Sequence, residues 1–300
     1  MADFRIGVIG LPGKWSTEVL ADAVESHTGL RLIIDMQAVS LDLASQTLIY
    51  EGQDICEFDA LIIKKIAGEY SPATLDRLEL LRVAEAKGVR VFSGAEKILR
   101  LIDRLSCSVS LRNAGIPMPE TVVTEDIETA CRTVGNYGEA VFKPLYSTKA
   151  RGMCVIKAAD GEALVRKAIR KFQNENQMMY IQKKKDLNGQ DFGMVFLGGE
   201  YLGSYARVTG GDSWNTTIHH GGKYMPYEAT PELIELGYRA QLPFKMDFTT
   251  VDVAITEEGP VIFEVSAFGG FRGAKEGIGI DAAGRYADYV MERLGEARGD

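Results

Sequence analysis

The sequence predicts an open, parallel α/β sheet at the N-terminus followed by strand-rich α+β subdomains, and three observations carry that expectation. Residues 1–96 alternate continuously apolar strands with helices, the pattern of a parallel sheet covered on both faces. Beyond Ser93 strands crowd together with few helices between them, as in mixed sheets. At 300 residues the chain is also longer than most single cores, so two or three subdomains are expected.

R-I-G-V-I-G (5–10) is the first apolar strand. Ser16 to Ser26 reads as a helix, because Val19, Leu20, Ala23 and Val24 recur at i, i+1, i+4 and i+5. L-R-L-I-I-D (30–35) and D-A-L-I-I-K-K (59–65) continue the sheet. The stretch 71–88 reads as a helix with Ser71 as cap, Pro72 in the first turn and Gly88 at its end, and V-R-V-F (89–92) follows as a strand. A helix is then expected over 97–114, stopped by Gly115, with I-P-M-P-E-T (116–121) as a proline-punctuated linker. Strands follow at 140–144, 153–156, 178–182, 192–197, 201–207, 249–255 and 261–265, with helices near 161–173, 231–241 and 281–295. Ligand sites favour the cleft between such subdomains.

Composition narrows the function classes. Hydrophobic content of 46% and charged content of 25% are those of an ordinary globular chain. A net charge of −8 argues against duplex nucleic acid as partner, since that partner needs a basic face. Cys56, Cys107, Cys131 and Cys154 lie far apart with no metal-site spacing, which fits buried thiols in a reducing compartment. The opening M-A-D-F-R-I-G-V-I-G reads as a first strand, not a secretory signal, and no apolar run has the length of a membrane span. A cytoplasmic location without membrane partners is expected.

Asp252 and Glu264 are the first chemical candidates, because each interrupts an apolar strand and I-T-E-E-G-P (255–260) reads as the turn joining them. An antiparallel pair brings the carboxylates together. Two readings are open: a cation such as magnesium between them, or a structural partnership of each with Arg or Lys. Lys143 leaves its strand into L-Y-S-T-K-A-R-G (145–152), a small polar loop suited to phosphate or simply solvated. G-L-P-G-K-W (10–15) fails as a P-loop, with Val8 where the leading glycine belongs and Trp15 after the lysine. G-V-I-G is not a dinucleotide fingerprint either. R-V-T-G-G-D-S-W-N-T-T-I-H-H-G-G-K (207–223) reads as a substrate-facing loop, although adjacent His219 and His220 point to opposite faces and do not make a metal pair. Q-K-K-K-D (182–186) reads as a solvated turn or as a hinge.

The order of these pieces resembles the ATP-grasp superfamily, in its RimK-like branch of amino-acid ligases, nearly end to end. The matching pieces are D-R (103–104), L-R-N-A-G-I-P-M-P (111–119), Lys143, I-Q-K-K (181–184), Asp191, T-T-I-H-H-G-G (216–222), V-D (251–252) and E-V-S (264–266). The resemblance implies an N-terminal α/β domain over 1–96, a small or lid subdomain with its linker helix over 97–184, and a C-terminal subdomain with the metal site over 185–300. It further implies ATP and Mg2+ (or Mn2+). Lys143 would hold the α/β-phosphates under the 145–152 loop, with Ser147, Arg104, Asn215 and Thr217 as further ATP contacts. The backbone at Gln182, Lys183 and Lys184 would bind adenine and Asp191 the ribose. Arg207 would stabilise the transferring phosphoryl group, and Asp252, Glu264 and Ser266 would hold metal.

The sequence departs from the family pattern at several of these places. Arg104 and Gly193 stand where the pattern has lysine and arginine, and His220 where a basic residue is common. Thr217 replaces an asparagine, and Ser266 replaces the metal-binding asparagine. The resemblance implies an ATP-dependent carboxylate–amine ligase working through an acyl phosphate, with a kinase-like phosphotransferase or a non-catalytic ATP-binding regulator as alternatives. Its partners would be a small-molecule or peptide carboxylate and an amine, in a chain able to form a homo-oligomer. F-G-G-F-R-G-A-K-E-G-I (268–278) is expected as a mobile basic loop whose Arg272 and Lys275 grip a carboxylate substrate, or else as a glycine-rich return to the last helix.

Overall fold

A computed structural model describes residues 4–148, 150–209 and 222–299. The N-terminal sheet is parallel, in the order β2 (Ile33–Ile34), β1 (Ile6–Ile9), β6 (Ala60–Ile63), β7 (Arg90–Phe92). Helices α1 (Trp15–Thr28) and α2 (Pro72–Ala86) flank it. Strands β1 and β6 are buried at every position, which accounts for their unbroken apolar sequence. A small meander of β3 (Ser40–Asp42), β4 (Thr47–Tyr50) and β5 (Gln53–Asp54) is inserted between β2 and β6.

The helix expected over 97–114 is two helices, α3 (Ala95–Ile102) and α4 (Arg104–Asn113). Asp103 has extended backbone and its side chain accepts from the Leu105 amide, so it ends one helix and caps the next. The break makes Arg104 the first residue of α4. The supposed linker runs straight into β8 (Thr121–Thr124).

An antiparallel sheet follows in the order β10 (Cys154–Lys157), β9 (Glu139–Lys143), β11 (Met179–Lys183), β8. It is backed by α5 (Ile127–Tyr137) and α6 (Glu162–Glu175), and has its own apolar core around Phe142, Ile169, Phe172 and Ile181. Helix α5 was not expected: threonines, Gly135 and Asn136 are poor helix formers. The Asp126 cap to the Thr129 amide and the buried row Ala130, Thr133 and Val134 outweigh them.

A five-stranded antiparallel sheet completes the fold: β14 (Lys223–Tyr227), β13 (Glu200–Val208), β12 (Gln190–Leu197), β15 (Phe248–Thr256), β16 (Gly259–Val265). Helix α7 (Pro231–Gln241) packs against it. The segment expected as a mobile loop contains a helix, α8 (Phe271–Ile278), and α9 (Ala282–Gly299) returns to pack on α1. Apolar residues of the parallel sheet and of the five-stranded sheet share continuous cores, so the two are joined by packing as well as by chain. Among the described residues no helix is long and apolar enough to cross a membrane.

Candidate active site

Between the β8–β11 sheet, the five-stranded sheet and the end of β6 lies a cavity of about 430 Å³. Arg104, Lys143, Ser147, Gln182, Lys183, Lys184, Asp191, Arg207, Asp252, Glu264 and Ser266 all line it, drawn from seven separate segments of chain. Of the other sequence-predicted residues, Asn215, Thr217 and His220 lie outside the described residues.

The acidic floor comes from register. Asp252 on β15 is the direct partner of Glu264 on β16, with an irregularity in the pairing just after Asp252. Each acid is also met by an arginine. Arg104 Nη1 lies 3.1 Å from Glu264 Oε2 while its Nε donates to the Pro144 carbonyl at 3.3 Å. Arg207 on β13 faces Asp191 on β12, holds it through two hydrogen bonds (Nε to Oδ1 at 3.0 Å, and Nη2 to Oδ2), and brings Nη2 within 3.1 Å of Asp252 Oδ1. That approach is an ion pair without hydrogen-bond alignment, for Asp252 Oδ1 is buried and has no hydrogen-bond partner among the described residues. Burial pushes the Asp252 carboxyl upward, Arg207 opposes the shift, and Asp191 and Glu264 reinforce it.

Lys143 is only 8% exposed and donates to Gln182 Oε1 at 2.5 Å. Gln182 in turn donates to Thr121 Oγ1 at 3.1 Å, so the lysine is held by a chain of neutral groups. Burial, with help from Arg104, pushes the ammonium down to about 7, against the pull of Glu264. Above it the 145–152 loop carries Ser147, whose buried Oγ also has no hydrogen-bond partner among the described residues.

The Q-K-K-K run is pinned by ion pairs at the end of β11 rather than left as a solvated turn. Lys183 and Lys185 reach Glu120 at 2.8 and 2.9 Å, and Lys184 reaches Glu139 at 2.7 Å. Lys183 first, then Lys185, holds the Glu120 carboxyl down at about 2. The backbone amides of Lys183 and Lys184 donate to the Glu120 and Glu139 carbonyls, so those two amides are already engaged within the fold.

Arg272 and Lys275 do not line this cavity. Both stand on α8 over the Trp15 ring of α1, at 5.5 and 5.4 Å from its centroid. The cavity takes its cation on that side from Lys65 instead, with Tyr70 and Phe268 beside it. Lys65 and Tyr70 were missed by sequence reading, although a signal existed: K-K follows a parallel strand at its carboxyl end, where open α/β sheets place ligands.

With this geometry in view, comparison with known proteins is decisive on the family. The profile of the RimK-like ATP-grasp domain matches residues 102–290. The chain belongs to the RimK-like ATP-grasp family. That membership makes it an enzyme of the ATP-dependent carboxylate–amine ligase class. Its similarity to tetrahydromethanopterin:alpha-L-glutamate ligase of Methanosarcina acetivorans runs to 25% identity, covering 97% of this chain and 98% of that protein. In fold it is similar to the ATP-grasp ligase PsnB complexed with its minimal precursor, at TM-score 0.75 and 19% identity, covering 97% of this chain and 99% of that one. The RimK domain ATP-grasp protein from Sphaerobacter thermophilus gives TM-score 0.73 and 22% identity, covering 95% and 98%. The two-subdomain ATP-grasp architecture behind an N-terminal parallel sheet is therefore the fold of this chain.

Proposed function

We propose that this RimK-like ATP-grasp enzyme joins an α-amino acid, of the kind named in its glutamate-ligase relative, to a carboxylate through an acyl phosphate. A carboxylate oxygen of the acid attacks the γ-phosphorus of ATP, and the bond from that phosphorus to the ADP oxygen breaks. The amine nitrogen then attacks the acyl carbon, the carbon–oxygen bond to phosphate breaks, and the nitrogen loses one proton. No protein nucleophile is needed, so the side chains act by positioning and by neutralising charge.

The single observation that carries the reading is the pairing of Asp252 with Glu264 on the cavity floor, with a buried Asp252 oxygen that no hydrogen bond from the described residues satisfies. Such an oxygen fits a magnesium ligand, and Ser266 beside it on the cavity wall fits a third, weaker one. Asp252, Glu264 and Ser266 would hold the ion, which supplies positive charge beside the phosphates when bound. Lys143 and Arg104 would meet the phosphates, with the Ser147 hydroxyl of the loop above, unpartnered among the described residues, as a further donor. Arg207, held in aim by Asp191, would meet the charge that develops on the transferring phosphoryl group. Asp191 is engaged with that arginine on both oxygens, which supports a positioning role for it more than a ribose contact.

Incubation with ATP, magnesium, pooled carboxylic acids and amino acids tests the reading. Amide product with ADP is the expected outcome. A phosphorylated product with no amide would make the protein a kinase-like phosphotransferase, and tight ATP binding without turnover would make it a regulator.

A further inference from the structure

The loop after β6, residues 64–71, is built as a wall of the reaction cavity rather than as a simple connection to α2. Both Lys64 and Lys65 amides donate to the Ile9 carbonyl, and the loop ends in a reciprocal Ser71–Thr74 capping box. Lys64 Nζ donates to the Gly269 carbonyl at 2.5 Å and lies 4.0 Å from the Phe271 ring centroid, which fastens the segment after Ser266 to this loop. Glu69 and the Gly68 carbonyl receive Arg151 from the phosphate-covering loop, at 2.7 and 3.3 Å. The side chains held between these two fastenings are Lys65, Tyr70 and Phe268, all lining the cavity.

Lys65 Nζ sits 4.8 Å from the Tyr70 ring centroid and 4.9 Å from that of Phe268, with the Tyr70 hydroxyl at 3.4 Å. The two rings are 6.4 Å apart and inclined at 57°, so they form an open V around the ammonium. Aromatic faces stabilise the cation while excluding water, and a less hydrated ammonium pulls harder on an anion.

We infer that Lys65, walled by Tyr70 and Phe268, is the binding site for the acid substrate: an organic acid whose carboxylate group pairs with the Lys65 ammonium and whose carbon body lies in the aromatic V. The inference rests on the ligase reading. It assigns substrate choice to the N-terminal sheet and to the residues just after the candidate metal site, and not to Arg272 and Lys275.

The test uses the full chain with ATP, magnesium, hydroxylamine as amine, and a panel of acetate, succinate, L-glutamate, benzoate and phenylacetate. Hydroxylamine converts an acyl phosphate into a hydroxamate and phosphate, so the natural amine need not be known. For the best acid of the panel, Lys65→Met and Lys65→Gln raise the KM for the acid on the order of tenfold to a hundredfold, the loss expected for a charge-assisted contact. The KM for ATP moves less than about twofold, Lys65→Arg recovers part of the loss, and Phe268→Ala weakens acid binding as well. Calorimetric titration of the same acids in the presence of AMP-PNP and magnesium is the second readout. Binding that depends on Lys65 without hydroxamate upholds the site and overturns the ligase reading alone. Equal acid binding in wild type and both neutral variants, or no panel acid bound by the wild type, overturns the site.

Discussion

Asp252 and Glu264 stand directly opposite one another across β15 and β16, and each is reached by an arginine from a different element. Like charges this close are tolerated because cations flank them. Asp252→Asn removes one of the two acids yet leaves Arg207 fastened to Asp191 through two hydrogen bonds. We therefore expect the variant to fold while magnesium-dependent ADP release falls on the order of a hundredfold or more. A magnesium series of ADP release checks this, and activity equal to wild type would remove Asp252 from the proposed metal site.

Arg104 tests the second arginine. Its side chain is 9% exposed and bridges Glu264 and the Pro144 carbonyl, so it ties α4 to both walls of the cavity. Arg104→Ala strands Glu264 without that arginine and removes one proposed phosphate donor, and the KM for ATP should rise roughly tenfold. Arg104→Lys keeps the charge but loses the fork that spans the two acceptors, so a smaller rise is expected. Steady-state kinetics on the two variants separates charge from geometry.

How much of this was readable in the sequence depends on the range of the contacts. The Asp252–Glu264 pair was legible because a short turn joins the strands, so local register alone sets them face to face. Lys143, Lys183 and Lys184 were legible as cavity residues through the order and spacing of the pieces. Lys65 and Tyr70 were not, since what makes them part of the site is Phe268, about two hundred residues onward in the chain. The glycine-rich stretch 268–278 misled for a related reason. Its glycines look like flexibility in sequence, whereas α8 uses Gly273 and Gly277 to lie against the Tyr205 ring. Helix α5 was hidden by weak local propensities that tertiary packing overrides.

Lys64 predicts a pH dependence of stability. It is 5% exposed, and burial first, then neighbouring Lys65, pushes its ammonium down to about 7. An unfolded lysine titrates near 10.4, so between the two values the unfolded chain binds the extra proton. Stability from this group is fully present above the unfolded value and is lost as pH falls through about 7. Lys64→Met abolishes the effect. Between pH 7 and 9.5 the wild type should gain on the order of 1–3 kcal/mol relative to the variant. Parallel thermal unfolding curves at the two pH values check it, and a constant difference in Tm would show that Lys64 stays charged in the folded state.

Arg151 predicts a kinetic effect without a stability effect. Its pair with Glu69 is exposed, so Arg151→Ala should cost less than about 1 kcal/mol. The contact nevertheless fastens the 145–152 loop to the N-terminal wall of the cavity. Loosening it admits water to the acyl phosphate, and phosphate release should exceed amide formation by several-fold more than in the wild type. Unchanged coupling between phosphate and amide would mean that the loop closes by other contacts.

Gly193 is the departure from the family pattern that the fold explains. It pairs in register with Tyr205 on the neighbouring strand, and a Cβ there would come within 2.5 Å of Tyr205 Cζ and 2.6 Å of its hydroxyl. Gly273 and Gly277 of α8 crowd the same ring from another side, so the tyrosine fills the room that a side chain at 193 would need. Gly193→Ala should therefore cost about 1–3 kcal/mol through overpacking, with a correspondingly lower Tm. Tyr205→Leu removes a ring and leaves a void of its own, but in the double variant the two defects relieve one another. The combined loss should fall short of the sum by roughly 1 kcal/mol in a double-mutant cycle. Strict additivity would mean that the ring and the glycine are not matched to each other, and that Gly193 is small for some reason other than Tyr205.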